Sequence, residues 1–169
     1  MQSFPMTHQI LTDTSLLNDL RTLGVKPGDG LFVHASMRSI GSVVGGPRSV
    51  TEALLRSVGH DGLIGMPAFS TDAYFPSQFD TTDLSDEEVV QIERAVPGFD
   101  PARSPTSGMG VIAETFRTWP GTKRSRHPAV SVSLNGKDAD AFTQTHALEW
   151  ATGPDTPLGQ LMHRDRMKL

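Results

Sequence analysis

Between Gly30 and Pro67 the chain passes through a short apolar stretch, a glycine-rich loop, an amphipathic helix and a second apolar stretch. This succession constrains the fold more than any other feature of the sequence. Gly30-Leu31-Phe32-Val33-His34 follows the turn Lys26-Pro27-Gly28-Asp29 and suits a buried strand, which places His34 at or near its carboxyl end. Ser39-Ile40-Gly41-Ser42-Val43-Val44-Gly45-Gly46 forms the loop. Pro47 is placed to open a helix through Ser57, with Val50, Leu54, Leu55 and Val58 as its buried stripe. Asp61-Gly62-Leu63-Ile64-Gly65-Met66-Pro67 then reads as turn and strand. Strand, helix, strand is the pattern of a crossover unit, so the expected fold is α/β, a largely parallel central sheet with helices on its faces.

The flanks agree with that class. Thr12 or Asp13 can cap a first helix in which Leu16, Leu17, Leu20 and Leu23 recur at helical spacing, and Gly24 can stop it. From Ala68 to Pro105 the pattern is irregular, apart from Ser85-Asp86-Glu87-Glu88, a capping-box arrangement. Beyond it we expect a helix over Gly108 to Trp119, a strand over Val130 to Leu134, a helix over Lys137 to Thr145 and a helical turn from Pro157 to Met162. No repeat or linker cuts the chain, and 169 residues suit one core, so residues 1–169 are expected to form a single domain.

Composition narrows the chemistry. A formal charge of -4 disfavours nonspecific nucleic-acid binding and fits a protein handling a cationic small molecule. With no Cys, a disulfide framework, a thiolate zinc site and a cysteine nucleophile are all ruled out. The six histidines include no His-x-x-x-His pair, so no metal site is expected. Met1 to Ile10 lacks a basic region followed by an apolar core, and no run approaches the roughly 18 apolar residues of a membrane span. The expected location is therefore the cytoplasm, with no membrane contact.

Several residues have the chemistry of a site. In open α/β sheets ligands gather beyond the carboxyl ends of strands, where His34 and Ser36 lie. An imidazole there can take a proton from an attacking amine, or simply hydrogen-bond the backbone at the strand end. Ser36, Arg38, Ser39 and the amides around Gly41 can cradle phosphate, yet the spacing is neither a Walker loop nor a dinucleotide fingerprint, and a plain turn with a helix cap fits as well. Arg124-Ser125-Arg126-His127-Pro128 concentrates donors before a strand, as a ligand site or an exposed basic turn. Asp72 can attract an ammonium group or close an Asx-turn. His146 and Glu149 can pair if a helix continues through them, and His163 sits in a polar tail.

These blocks together resemble the aminoglycoside 3-N-acetyltransferase family. The matching stretches include Leu20 to Asp29, Leu31-Phe32-Val33-His34-Ala35-Ser36-Met37-Arg38-Ser39-Ile40-Gly41, Val43-Val44-Gly45-Gly46 and Met66-Pro67-Ala68-Phe69-Ser70. Met109-Gly110, Ala113 to Arg117, Arg124 to Pro128 with Ser131-Val132, and Thr156 to Leu161 complete the set in order. The resemblance implies a three-layer α/β/α acetyltransferase domain that binds acetyl-CoA and acetylates the 3-amino group of a 2-deoxystreptamine aminoglycoside, an antibiotic-resistance reaction. It assigns Ser36, Arg38, Ser39, Gly41, His127 and Ser131 to the CoA side and Asp72 to the aminoglycoside side, and retains His34 as the base. Family chains run longer, with a further strand and a Leu-His-x-x-Glu-like block, so the domain is expected to be incomplete at its C-terminus. The alternative is a catalytically incomplete CoA-binding or structural fragment, and a homodimer is an assembly left open.

Overall fold

Thr12 begins the first helix by a reciprocal exchange: Ser15 N–H donates to its Oγ1 at 3.1 Å, and its own N–H donates to Ser15 Oγ at 2.8 Å. The computed structural model describes residues 10–73 and 80–168. In chain order the elements are α1 (Asp13–Thr22), β1 (Gly30–Phe32), α2 (Met37–Ile40), α3 (Gly46–Val58) and β2 (Leu63–Pro67). After 3-10 turns at Thr71–Ala73 and Thr81–Asp83 come α4 (Asp86–Ala95), α5 (Gly110–Arg117), β3 (Lys123–Arg124) and β4 (Val132–Gly136). Then α6 (Ala139–Gln144), α7 (Pro157–Met162) and β5 (Met167–Lys168) follow.

The strands lie in the order β3-β4-β2-β1-β5. The expected neighbours pair directly: β1 runs parallel to β2, with Leu31 opposite Ile64, and parallel to β5 on its other edge. The sheet as a whole is mixed, because β4 is antiparallel to both β2 and β3. The reason lies in where the chain re-enters. After β2 it leaves at Pro67 and returns at Val132, opposite Pro67, at the carboxyl end of β2, and must therefore run backwards along it. Only residues 125–131 separate β3 from β4, too few for the crossover that a parallel pair requires.

Alternation along the strands divides the interior between two faces. Leu31, Ile64 and Met66 pack with Val50, Leu54 and Val58 of α3 and with Ile112, Ala113 and Phe116 of α5. Leu55 of the expected stripe is only half-buried, although it still packs on this cluster. Phe32, Leu63, Val132 and Leu134 face the other way, onto Ala139 of α6 and Leu161 of α7. The three-layer arrangement follows from these two apolar faces. Asp29, 2% exposed in its side chain, ties the turn before β1 to the last strand through Arg166 at 2.7 Å and a close contact with Lys168. Burial raises the Asp29 pKa, but the hydrogen bonds from Lys168 and the Lys26 N–H and the two positive charges outweigh it, holding the carboxyl below its ordinary value.

Several boundaries differ from the sequence expectation, and β1 itself stops at Phe32, two residues before His34. The strand expected over Val130 to Leu134 is β4, displaced two residues onward, because the N–H groups of Ala129 and Val130 turn back to His127 instead of joining the ladder. α5 is shorter at both ends than Gly108 to Trp119. α6 ends at Gln144 with Thr145 extended, so His146 and Glu149 do not share a helix face. Among the described residues, no helix is long and apolar enough to cross a membrane, and no group of three or more candidate ligands could hold a metal ion.

Candidate active site

β1 ends at Phe32, and the chain passes through Val33 to an exposed His34 beyond the carboxyl edge of the sheet. The imidazole stands edge-on to the Phe32 ring, with centroids 5.4 Å apart and an interplanar angle of 62°. It borders a cleft of about 770 Å3 whose walls include Phe32, Thr152, Pro154, Leu158 and His163. It also borders a smaller hollow of about 170 Å3 between Met66, Pro67 and Met109. His34 thus lines both cavities, and His163, expected in a solvated tail, is part of the larger wall.

The loop after His34 is shaped by its backbone. The Ser36 carbonyl accepts the N–H groups of Ser39 and Ile40, both at 3.0 Å, and Gly41 closes α2 with φ of 97°, a conformation that strongly favours glycine. Leu11 braces the far side of the loop: its N–H donates to Ser42 at 3.0 Å and its carbonyl accepts from Val44 at 2.8 Å. The side chains of Ser36, Arg38 and Ser39 stay exposed and make no side-chain hydrogen bond or ion pair among the described residues. Donors presented in this way can receive an anion.

The other block predicted to face a ligand is turned inward. His127 Nδ1 accepts from Ala129 N–H at 3.2 Å and Val130 N–H at 3.1 Å, so its proton sits on Nε2, facing the Leu148 carbonyl at 3.3 Å. Both ring nitrogens are therefore occupied. The Ser131 hydroxyl, fully buried, donates to the Ala68 carbonyl at 2.6 Å and accepts from Arg124 Nε at 3.0 Å. Arg124 also reaches the carbonyls of Ser104, Pro101 and Ala68 and lies 4.9 Å from the Phe99 ring centre. Burial, with the neighbouring Arg117 charge, lowers the Arg124 pKa to about 10 despite Glu114 nearby. Arg117 holds Glu114 at 2.6 Å and the Ala102 carbonyl at 2.9 Å. Together the two arginines fasten the segment around residues 99–106, Arg117 to α5 and Arg124 to the ends of β2 and β3.

Asp72 lies in the 3-10 turn after β2, its N–H donating to Ser107 Oγ at 3.1 Å. Residues 74–79 beside it are outside the described residues. What sequence reasoning missed is the contact between Ser125 and His146. Ser125 Oγ accepts the Val132 N–H at 2.9 Å and lies 2.8 Å from His146 Nδ1, and the His127 and His146 rings are 4.7 Å apart. Burial and the adjacent His127 lower the His146 pKa to about 4, and the Ala151 backbone offsets them only in part. The residues carrying this pair were noticed in the sequence, but nothing in their spacing of twenty-one positions links them.

A family model described as aminoglycoside 3-N-acetyltransferase matches residues 32–167. The SPbeta prophage-derived aminoglycoside N(3')-acetyltransferase-like protein of Bacillus subtilis is 37% identical over 164 residues, covering 96% of this chain and 58% of that protein. Aminoglycoside N(3)-acetyltransferase III of Pseudomonas aeruginosa is 35% identical over 162 residues, covering 95% of this chain and 56% of that one. Among solved structures, the Bacillus subtilis YokD protein superposes with a TM-score of 0.84 at 37% identity, over 91% of this chain and 62% of its own. AAC-IIIb in its binary complex with CoASH gives a TM-score of 0.77 at 35% identity, over 90% and 56%. The chain spans little more than half the length of these two curated relatives.

Proposed function

The chain belongs to the aminoglycoside 3-N-acetyltransferase family, and from that premise we propose that it transfers an acetyl group from acetyl-CoA to the 3-amino group of a 2-deoxystreptamine aminoglycoside. The observation that carries the reading is the position of His34, exposed beyond the sheet's carboxyl edge, lining both cavities and standing directly before a loop of unpaired donors. The relative solved with CoASH and the AAC-VIa structure solved with sisomicin support both ligand classes.

In this mechanism the amine nitrogen attacks the thioester carbonyl; the C–N bond forms, the C–S bond breaks and the thiolate of CoA departs. The nitrogen must lose a proton, and His34 accepts it. Arg38, Ser36, Ser39 and the amides leading to Gly41 hold the anionic end of CoA, a role their exposed, unpaired donors fit. His127 and Ser131 act from beneath, His127 shaping the turn after β3 and Ser131 joining its far end to Ala68. Asp72 attracts a neighbouring ammonium and orients the ring. The protein acts in the cytoplasm, where acetyl-CoA is available.

The test is a thiol-release assay with a deoxystreptamine drug, paired with calorimetry of CoA binding. His34→Ala should bind CoA as the parent does and lose turnover by roughly 10²–10⁴-fold, the range for a lost acid-base group. Arg38→Ala should weaken CoA binding. If His34→Ala keeps parental turnover at every pH, His34 is not the base. A second reading is that the chain binds CoA without transferring acetyl, for which the exposed donors of Ser36, Arg38 and Ser39 suffice. Binding by the parent with no thiol release would select it.

A further inference from the structure

The contact between Ser125 and His146 determines where protons sit. Ser125 Oγ accepts from the Val132 N–H, and His146 Nδ1 at 2.8 Å is the one acceptor that its hydroxyl proton meets among the described residues, so the hydroxyl donates to that nitrogen. His146 in its neutral form must then carry its proton on Nε2. That atom is buried and has no hydrogen-bond partner among the described residues. The Ala151 backbone lies close enough to favour the charged ring slightly, but not in hydrogen-bonding geometry. A buried donor without an acceptor is costly, and this one sits beside the segment that leads to the cleft wall.

That segment is held at both ends. Between them Ala147 N–H donates to the Asp155 carbonyl at 3.3 Å, Trp150 N–H donates to the Ala147 carbonyl at 3.5 Å and His127 Nε2 faces the Leu148 carbonyl at 3.3 Å. Ala151 and Thr152 are left without a backbone–backbone hydrogen bond among the described residues. His146 is held by Ser125 at one end. At the other, Gly153 exchanges hydrogen bonds with Thr156, at 3.2 Å from its N–H and 2.8 Å to its carbonyl. The Gly153 carbonyl also packs so closely on Gly159 of α7 that no Cβ fits there. Between these anchors Leu148 and Trp150 are 66% and 63% exposed, and Thr152 lines the cleft that His34 borders. Movement of Ala151 toward His146 would satisfy the orphaned donor and carry Thr152 with it.

We propose that Ser125 and His146 are positioning residues for the cleft: the serine hydroxyl sets the imidazole proton on Nε2, and that N–H draws in the Ala151 carbonyl so that Thr152 closes on a bound ligand. The identity of the ligand rests on the acyl-CoA reading given above; the proton arrangement and the closure do not. Neither residue touches the reacting atoms.

The test combines nitrogen NMR of the histidine rings with amide hydrogen exchange over residues 150–153, with and without acetyl-CoA, in the parent and in His146→Phe, His146→Gln and Ser125→Ala. The parent ring should be neutral with its proton on Nε2, and acetyl-CoA should slow exchange at Ala151 and Thr152. His146→Phe keeps a ring against His127 and should abolish that slowing, leaving exchange roughly five- to tenfold faster than in the liganded parent, about the factor for one neutral hydrogen bond. His146→Gln, which can supply a donor at the reach of Nε2, should restore part of the protection. Ser125→Ala should let the proton move to Nδ1 and lose it. A parent ring protonated at Nδ1, or a phenylalanine variant protected as the parent is, would overturn the proposal. Absence of CoA binding by calorimetry would instead count against the acyl-CoA reading, and the ring proton would still be read from the unliganded protein.

Discussion

Gly65 shows how a single residue sets the geometry next to the site. A Cβ there would stand 2.7 Å from Leu134 Cδ2 and 2.8 Å from Phe32 Cδ2, so the glycine is what lets these two buried side chains approach each other over β2. Phe32 in turn supports the His34 ring. Gly65→Ala should therefore cost about 1–3 kcal/mol, the range for overpacking a close-fitted interior, measured as a lower urea midpoint. An unchanged midpoint would mean that both side chains yield freely. At this scale the sequence was legible where position alone matters, as at His34 beyond a strand end. It was not legible where direction matters. His127 and Ser131 are polar residues in a block expected to face a ligand, and no local pattern says that their polar atoms turn inward to the backbone, nor that Arg124 gives its donors to carbonyls from distant segments.

Elements are legible where the sequence supplies a local signal, either a periodic apolar face or turn and cap residues at the ends. β1, α3 and β2 fall within a residue or two of expectation because those signals are local. The direction of β4 was hidden because it depends on the return path of residues 68–131, and no local preference encodes that path. The helix α4 separates cap from core. Its capping box is complete, with Ser85 N–H donating to Glu88 Oε2 at 2.9 Å and Glu88 N–H to Ser85 Oγ at 3.4 Å, yet the helix has no buried residue. Ser85→Ala should therefore destabilise the helix locally by about 1 kcal/mol and leave global unfolding within about 0.5 kcal/mol of the parent. Hydrogen exchange across residues 86–95 should rise several-fold while the melting temperature holds. A matching fall in melting temperature would show α4 to be part of the cooperative core.

For the whole molecule, one half-buried group and one buried group far apart in sequence divide acid unfolding into stages. His146 has a folded pKa of about 4, below the roughly 6.5 of an unfolded histidine, so between these values the unfolded chain binds a proton that the native state refuses. Stability must then fall as pH drops through that window. Asp29 contributes later. Its folded pKa lies below the ordinary 3.8 of a free aspartate, so the stabilisation from Arg166 and Lys168 is complete above about pH 5 and drains away as the carboxyl protonates, below about pH 4. His146→Phe should flatten the stability curve between about pH 6 and 4.5 while leaving the steeper fall below it. Asp29→Asn should do the reverse, lowering stability at pH 7 by about 1–2 kcal/mol, since Arg166 and Lys168 are half-exposed and water screens their charges. The measurement is a series of urea titrations from pH 7.5 to 3.5. The histidine stage should be nearly independent of salt, because it arises mainly from burial, whereas the aspartate stage should shrink in high salt, because it arises from charge pairs. If the parent and His146→Phe curves run parallel from pH 6.5 to 4.5, His146 titrates alike in both states, and burial does not hold its ring neutral.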